Sequence, residues 1–350
     1  MAAVQEHATV MADNLILDIL PELILDPDSP DRLVEISAGI LGNMACHATL
    51  QRRLSEHPQL QQSVLQGALM RDDAGCICEA CRVLSAVLAG SHAERWLKMA
   101  NTASTASRVA WLLEATQNSD VLTRVCEFVA AMASAGSSGA QLLFSNGILS
   151  KLSIPLEDYV RSAQLRPIEQ STDWDDEGAN ADDSFPSLPA MEAVLDALEA
   201  VSEDECGLAA MSTDEALQQL LAQLMDGQFR LLVRGRAAVL LASLKSGSVD
   251  LFAEDDAAMT RLIQLLLEAP MSEHGPVFQD AAWTLIAGAL RMLQSTDAVS
   301  DRQKVLNVLR GKDKDIKAAA RDCEEGKDNR RGKRALLVVR MLNAMISLKG

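Results

Sequence analysis

Hydrophobic residues recur at helical spacing through almost the whole of this 350-residue chain, and that period decides what it can fold into. Helix-like stretches run over 14–25, 31–46, 48–56, 59–70, 74–89, 91–100, 105–117, 119–134, 138–145 and 155–165. They resume at 189–202, 213–226, 230–246, 256–268, 277–294, 302–310, 312–323 and 333–348. The separators are those that helix ends require: Pro-Asp-Ser-Pro at 27–30, Pro58, Arg-Asp-Asp at 71–73, Gly90-Ser91, Gly136 to Gly139, Asn146-Gly147 and Gly247. No segment reads as a strand; Leu231-Leu232-Val233 is too short and flanks a helical pattern. Short helices whose pairs or triplets recur about every 40–45 residues predict an all-α chain stacked as an α-solenoid.

The core of such a chain must be made without rings. Aromatic residues are only 3% of the sequence, against 48% hydrophobic overall, so Leu, Ala, Val, Met and Ile carry the packing. These favour helix, whereas strands draw on aromatic and β-branched residues. The formal net charge is −17, unevenly spread: residues 302–350 hold 14 Lys/Arg and 6 Asp/Glu, while the preceding 301 hold 18 against 43. An acidic chain repels phosphate, and few aromatics leave little for bases to stack on, so general nucleic-acid binding is not expected. The start of the chain lacks a basic, then apolar, secretory leader, and the longest uncharged run, Phe128 to Ser150, is too polar to span a bilayer. Seven cysteines (46, 76, 78, 81, 126, 206 and 323) lie mostly in apolar helical segments and read as free thiols of a reducing, intracellular compartment, cytoplasm or nucleus.

The segment 32–46 shows why one helix needs several neighbours. Leu33, Ile36, Ile40 and Met44 form one stripe, with Val34, Ala38, Leu41 and Ala45 a second beside it. The remaining face holds Glu35, Gly39, Gly42 and Cys46, with Asn43 at its edge. Two glycines inside a helix cost about 1 kcal/mol each relative to alanine. Close approach of another backbone is the expected compensation, and a ligand is the alternative. The run Glu35-Ile36-Ser37-Ala38-Gly39-Ile40-Leu41-Gly42-Asn43-Met44-Ala45-Cys46 resembles the E-I-x-x-G-I-L-G-N-M-A-C signature of the serum-amyloid-A-like protein one (SAAL) family of armadillo-like proteins. Softer similarity continues through Glu79-x-x-Arg82-x-Leu84, Trp96 and Val125-x-Glu127, and none is found beyond Phe144. The resemblance implies an armadillo-like right-handed α-solenoid and a role in regulating cell proliferation.

More distantly, Leu41-Gly42-Asn43-Met44-Ala45 is similar to the third-helix L-x-N-[IL]-[AC] motif of armadillo repeats, whose Asn lines the concave groove and holds an extended peptide. That likeness implies a contact surface near Asn43, Glu35 and Arg82. Later repeats place Ser85, Ala131 and Ala287 where the Asn would recur, so a long peptide held by an Asn ladder is not expected.

Two charged segments stand apart. From Pro167 to Phe229 there are 16 Asp/Glu and no Lys or Arg, and 169–189 has no periodicity. This reads as an acidic loop between helices, either a solubilising insertion or a hook for a basic partner anchored by Trp174 or Phe185 beside Asp175 and Asp176. Asp173, Asp175, Glu177 and Gly178 match the first half of a calcium loop, but Ser184 stands where a bidentate Glu is needed. The second segment, Lys327, Arg330, Arg331, Lys333 and Arg334, precedes the apolar run 335–348. It reads as the entry to a terminal capping helix, with an import signal, an acidic-partner site or a clasp onto 167–229 as alternatives.

Chemistry-bearing motifs are missing. On one helix Cys76 and Cys78 lie about 160° apart and Cys76 and Cys81 about 140° apart, which cannot close on one zinc. There is no G-x-S-x-G, H-E-x-x-H, G-x-G-x-x-G or paired C-x-x-C, and Gly326 to Lys333 has the wrong spacing for a P-loop. The five His are single, and His47 reads as a helix cap. No cofactor, metal or catalytic residue is expected. The chain is therefore read as a helical block 1–166, an acidic loop 167–188 and a second block 189–350. Its expected work is non-enzymatic scaffolding of other proteins, with an adaptor or nucleotide-exchange cofactor of chaperone or nuclear-transport machinery as the alternative.

Overall fold

The computed structural model describes residues 16–165, 185–244, 252, 256–271, 273–295, 299–325 and 329–347. Every regular element among them is helical. The chain divides into two compact units, Met1–Gly207 and Leu208–Gly350.

The first unit contains α1 (Ile16–Leu25), α2 (Asp31–Ala45), α3 (Ala48–Glu56), α4 (Pro58–Gln62), α5 (Ala74–Leu88), α6 (Ala93–Ala100), α7 (Ala103–Ala115), α8 (Ser119–Ser134), α9 (Ser137–Ser145), α10 (Ile148–Leu165) and α11 (Leu188–Ser202). α4 runs on through a π-turn over Ser63–Gly67 and a 3-10 turn over Ala68–Met70. Local chemistry sets the starts. Asp73 accepts from the Cys76 amide at α5, Thr102 from Thr105 at α7, and Asn118 from Asp120 and Val121 at α8. Gly136, at φ 105°, makes the turn from α8 into α9 that a side chain would resist.

Four of these helices lie side by side in order: α2 on α5, α5 on α8, and α8 on α11. Two helices intervene between α2 and α5, between α5 and α8, and between α8 and α11. A helix in lateral contact with its counterpart one repeat on, with two helices between, is the armadillo-like solenoid arrangement. The core beneath this ladder is aliphatic, from Val34, Ala38 and Leu41 through Ile77, Leu84 and Val87 to Val125, Val129 and Val194. Trp96 and Phe128 are its few rings.

The second unit contains α13 (Glu215–Gln223), α14 (Leu231–Ser243), α15 (Asp256–Glu268), α16 (Gly275–Ser295), α17 (Val299–Gly311), α18 (Asp313–Glu325) and α19 (Asn329–Ser347), while α12 (Glu205–Thr213) spans the division. Its ladder is α14, α16 and α19, again in lateral sequence. Trp283, Phe252, Phe278 and Arg234 are buried within it.

Three sequence expectations change. α10 starts at Ile148 and carries Pro155 inside it, because Leu152 and Leu156 on either side are both fully buried and hold the helix through the lost hydrogen bond. α12 carries no apolar stripe to announce it, since Cys206-Gly207-Leu208-Ala209-Ala210 is mostly small. α11, placed by sequence at the head of the second block, packs along α8 through buried Ala190, Val194, Ala197 and Val201. The Ser187 amide also donates to Ser119 Oγ at 3.0 Å. The acidic segment therefore sits within a repeat, between α10 and α11.

Candidate functional site

The motif of α2 faces α5, and its small residues are explained there. A Cβ on Gly42 would lie 2.6 Å from Arg82 Cζ, and one on Gly39 would lie 3.6 Å from Glu79 Cδ and 3.9 Å from Arg82 Nη2. The glycines make room for a guanidinium laid flat on α2, not for the second backbone expected from sequence. Arg82 Nη1 donates to Asn43 Oδ1 at 3.1 Å, Nη2 to the Gly39 carbonyl at 2.9 Å, and Nε to Glu79 Oε2 at 2.7 Å. Two of these bonds cross to α2 and fix the register between the two ladder helices, and the third, to Glu79 on α5 itself, orients the fork. Glu35 takes part from the other end: it pairs with Arg32 at 2.7 Å, and its carboxyl lies over Gly75, where a Cβ would stand 2.6 Å from Glu35 Cδ.

Of the predicted contact residues, Asn43 and Arg82 are thus brought together, while Glu35 lies apart on Arg32 and Gly75; all three make bonds or contacts within the fold itself. Asn43 is exposed and already accepts from Arg82. A four-protein cycle separates the fork from helix propensity. Gly42→Ala is expected to destabilise the protein by about 1 kcal/mol, because displacing the guanidinium outweighs the propensity gain. In an Arg82→Ala background the same change should instead stabilise by about 1 kcal/mol, since only propensity remains. Urea melts of the four proteins check the reversal of sign.

The charged face continues on α8, where Arg124 pairs with Glu127 at 2.7 Å, which raises the guanidinium pKa above its ordinary value. The same two helices carry four cysteines. Burial pushes the Cys78 thiol up to about 11, with Asp120 adding to the shift, and the Cys76 thiol up to about 12, with Asp73 adding. Burial also raises Cys81 and Cys126. Cys76 Sγ donates to the Asp31 carbonyl at 3.2 Å, bracing α5 on α2. These are protonated packing thiols at neutral pH, the opposite of what a nucleophile or metal ligand requires. Among the described residues no three His, Cys, Asp or Glu side chains are grouped to hold a metal ion. Cys46 rather than His47 caps α2, and the His47 side chain makes no capping bond to α3.

Two residues of the basic segment, Arg331 and Arg334, are committed to the second unit. α19 begins within it. Arg331 Nη1 donates to Gln279 Oε1 at 3.3 Å, and Arg334 pairs with Asp280 and donates to Thr284 Oγ1 at 2.8 Å. Both partners lie on α16, so Arg334 reaches back across its ladder as Arg82 does in the first unit. Lys333 is exposed. Arg330 lies in α19 with its side chain outside the described set, and Lys327 is outside the described residues, as are Trp174, Asp175 and Asp176. Sequence reasoning missed Gln279, Asp280 and Thr284, whose i, i+1 and i+5 spacing carries no signal until the arginines are placed above them. It also missed Arg234, which is buried, pairs with Glu268 and donates to the Met225 carbonyl at 3.3 Å.

No helix among the described residues is long and apolar enough to cross a membrane. No family model matches the chain. No curated protein matches it at a significant level. Solved structures do resemble it. UNC-45 from Drosophila melanogaster superposes with a TM-score of 0.56 over 98% of this chain at 13% identity, and the match spans 38% of UNC-45. An engineered protein from a structural genomics consortium superposes with a TM-score of 0.55 at 17% identity, over 78% of this chain and 98% of its own. A computationally designed armadillo repeat protein for modular peptide recognition aligns over 93% of this chain at 14% identity with a TM-score of 0.44, too distant to add to the argument. At these identities the likeness speaks to fold alone, and the fold is an armadillo-like helical solenoid.

Proposed function

We propose that the chain is a non-enzymatic protein-interaction scaffold that presents the ladder face of α5 and α8 to its partner. The observation that carries this is the series of half-exposed ion pairs on that face, Glu79–Arg82 and Arg124–Glu127, held in fixed geometry on consecutive ladder helices. Pre-formed charge on a rigid surface lowers the ordering cost of docking and selects a partner of complementary pattern. The resolved pKa shifts support scaffolding over catalysis. Among the described residues they belong to surface ion pairs and to buried thiols held protonated, not to groups poised near neutrality. Resemblance of the α2 motif to the SAAL family adds the reading that this binding serves regulation of cell proliferation.

The test exchanges the α8 charges, Arg124→Glu with Glu127→Arg, which keeps an i,i+3 pair and so leaves the melting temperature within about 2 °C of wild type. Proximity labelling of the full chain in cells should then lose its specific partners by about tenfold, the change that a misplaced charge pair of 1.4 kcal/mol brings. Cells carrying the exchange as their only copy should proliferate like cells lacking the protein. An unchanged partner set overturns the assignment of this face.

A further inference from the structure

Two arginines outside the ladder helices of the first unit grip backbone as well as side chains. Arg71, in the turn that enters α5, donates from Nη2 to the Asp26 carbonyl at 2.8 Å. Its Nη1 donates to the Ser29 carbonyl and to Asp31 Oδ1, both at 3.1 Å. Asp26 and Ser29 lie in the turn that joins α1 to α2, and Asp31 is the first residue of α2. Arg108, on α7, repeats the device one step later. Its Nε donates to the Leu69 carbonyl at 3.1 Å, and its Nη2 bonds the Arg71 carbonyl and, at 3.2 Å, Asp72 Oδ1. These acceptors form the turn from which Arg71 projects. Both side chains are largely withdrawn from water, Arg71 being 20% and Arg108 13% exposed. The Arg108 guanidinium is also backed by the Trp111 ring, 4.8 Å from its centroid.

Arg71 is thus held at its backbone by one arginine while its own side chain holds the turn before. Bonds from a guanidinium to a carbonyl are charge-assisted, and at this burial water replaces them poorly. A rigid planar fork meets three acceptors at once only from one position. If the carbonyls of 69 and 71 lose Arg108, the Arg71 Cα is no longer fixed in that position. The following repeat is joined differently. Lys151 of α10 pairs with the Glu114 carboxylate of α7 at 2.7 Å, the two side chains being 33% and 54% exposed. A single flexible ammonium on an exposed carboxylate sets no backbone in place.

We propose that Arg71 and Arg108 are straps in series, so that the turn entering α2 is latched from α7 by way of the turn entering α5. Arg108 sets the 69–72 turn, and that turn aims Arg71 at 26–31. Release of Arg108 opens both turns together and leaves the aliphatic contacts of the ladder in place. Because coupling between two sites is reciprocal, release of Arg71 also weakens the hold of Arg108. The first two ladder helices therefore enter their repeats as one coupled unit, and Lys151 lies outside it.

Amide hydrogen exchange of the full chain, resolved by peptide, tests this. Arg71→Ala should speed exchange over 26–34 by about tenfold, the change that losing one charge-assisted bond brings. Arg108→Ala should speed it over 68–73 by about the same factor. It should also speed 26–34 by at least about threefold, although the bonds of Arg108 itself end at Asp72. Arg108→Lys keeps the charge and loses the fork, so this milder variant should show the same rise in both turns. In the Arg71→Ala background, Arg108→Ala should add nothing over 26–34, because the second strap is already gone. Lys151→Ala should leave both turns as they are. An unchanged 26–34 in the Arg108 variants, with 68–73 faster, would show two independent straps and overturn the proposal. So would a further rise over 26–34 in the double variant. An equal rise over α11, or in both turns of Lys151→Ala, would mark general loosening and overturn it as well.

Discussion

Replacing Trp96 by alanine is expected to cost the first unit about 3–5 kcal/mol, the range for deleting a large ring from a packed core. Trp96 is 1% exposed on α6, in a core that is otherwise mostly aliphatic. Its indole Nε1 donates to Ser55 Oγ at 3.0 Å, and that hydroxyl donates to the Gln51 carbonyl at 2.7 Å. Gln51 Nε2 in turn donates to the carbonyls of Ala45 at 2.8 Å and Ala86 at 3.0 Å. One chain of polar contacts thus ties α6 and α3 to the C-terminal ends of α2 and α5. Ser55→Ala should cost about 1–3 kcal/mol by stranding the indole N–H, and adding Trp96→Phe should recover part of that loss by removing the stranded donor. Urea melts followed by circular dichroism give the magnitudes, and amide exchange should place the loss in α3, α5 and α6. A Trp96→Ala protein within about 1 kcal/mol of wild type would sink this account.

How much of this was legible from sequence depends on the range of the contact. The ladder was, because each of its helices announces itself through apolar period, and Asp73, Thr102 and Asn118 cap their own helices within three residues. The peculiarity of Gly39 and Gly42 was also visible, but not its cause. A glycine records that something lies close without recording what, and the guanidinium over Gly42 comes from forty residues away. The same limit applies to Arg334, which sequence places in a basic cluster and the fold pairs with Asp280. Its partner precedes it by 54 residues, on a helix read only for its apolar face. Charge runs are therefore poor evidence of a free binding surface in a solenoid. Consecutive repeats bring opposite charges together at separations of about one repeat, as Arg71 with Asp31, Arg108 with Asp72 and Lys151 with Glu114 also show.

The acidic segment teaches a related point about spacing. α2, α5 and α8 begin at residues 31, 74 and 119, whereas α11 begins at 188. The longer interval is an insertion into one repeat, and the buried stripe of α11 continues the ladder without interruption. Composition changes sharply at 167, but α11 beyond it packs along α8 in the same ladder. A boundary drawn from charge follows the surface, while the division of compact units follows the apolar contacts that charge leaves out.

Gly235→Ala is expected to destabilise the second unit by about 2 kcal/mol, although alanine is the better helix former by about 1 kcal/mol. Gly235 lies in α14, and a Cβ there would stand 2.3–2.4 Å from three ring atoms of Phe278 on α16. The contrast with Gly42 is instructive, because a Cβ there also meets a side chain, at 2.6 Å. The Arg82 side chain is 24% exposed and can swing into water, giving up hydrogen bonds that water partly replaces. Phe278 is 3% exposed, so its ring has no such route and must push on the neighbours that enclose it. Two glycines with similar clearances therefore carry different penalties, set by what their neighbour can do when displaced. Phe278→Leu should recover stability in the Gly235→Ala background while costing about 1 kcal/mol in wild type, a change of sign that urea melts of the four proteins would read directly. If Gly235→Ala proves as stable as wild type, the α14–α16 contact is looser than this packing requires.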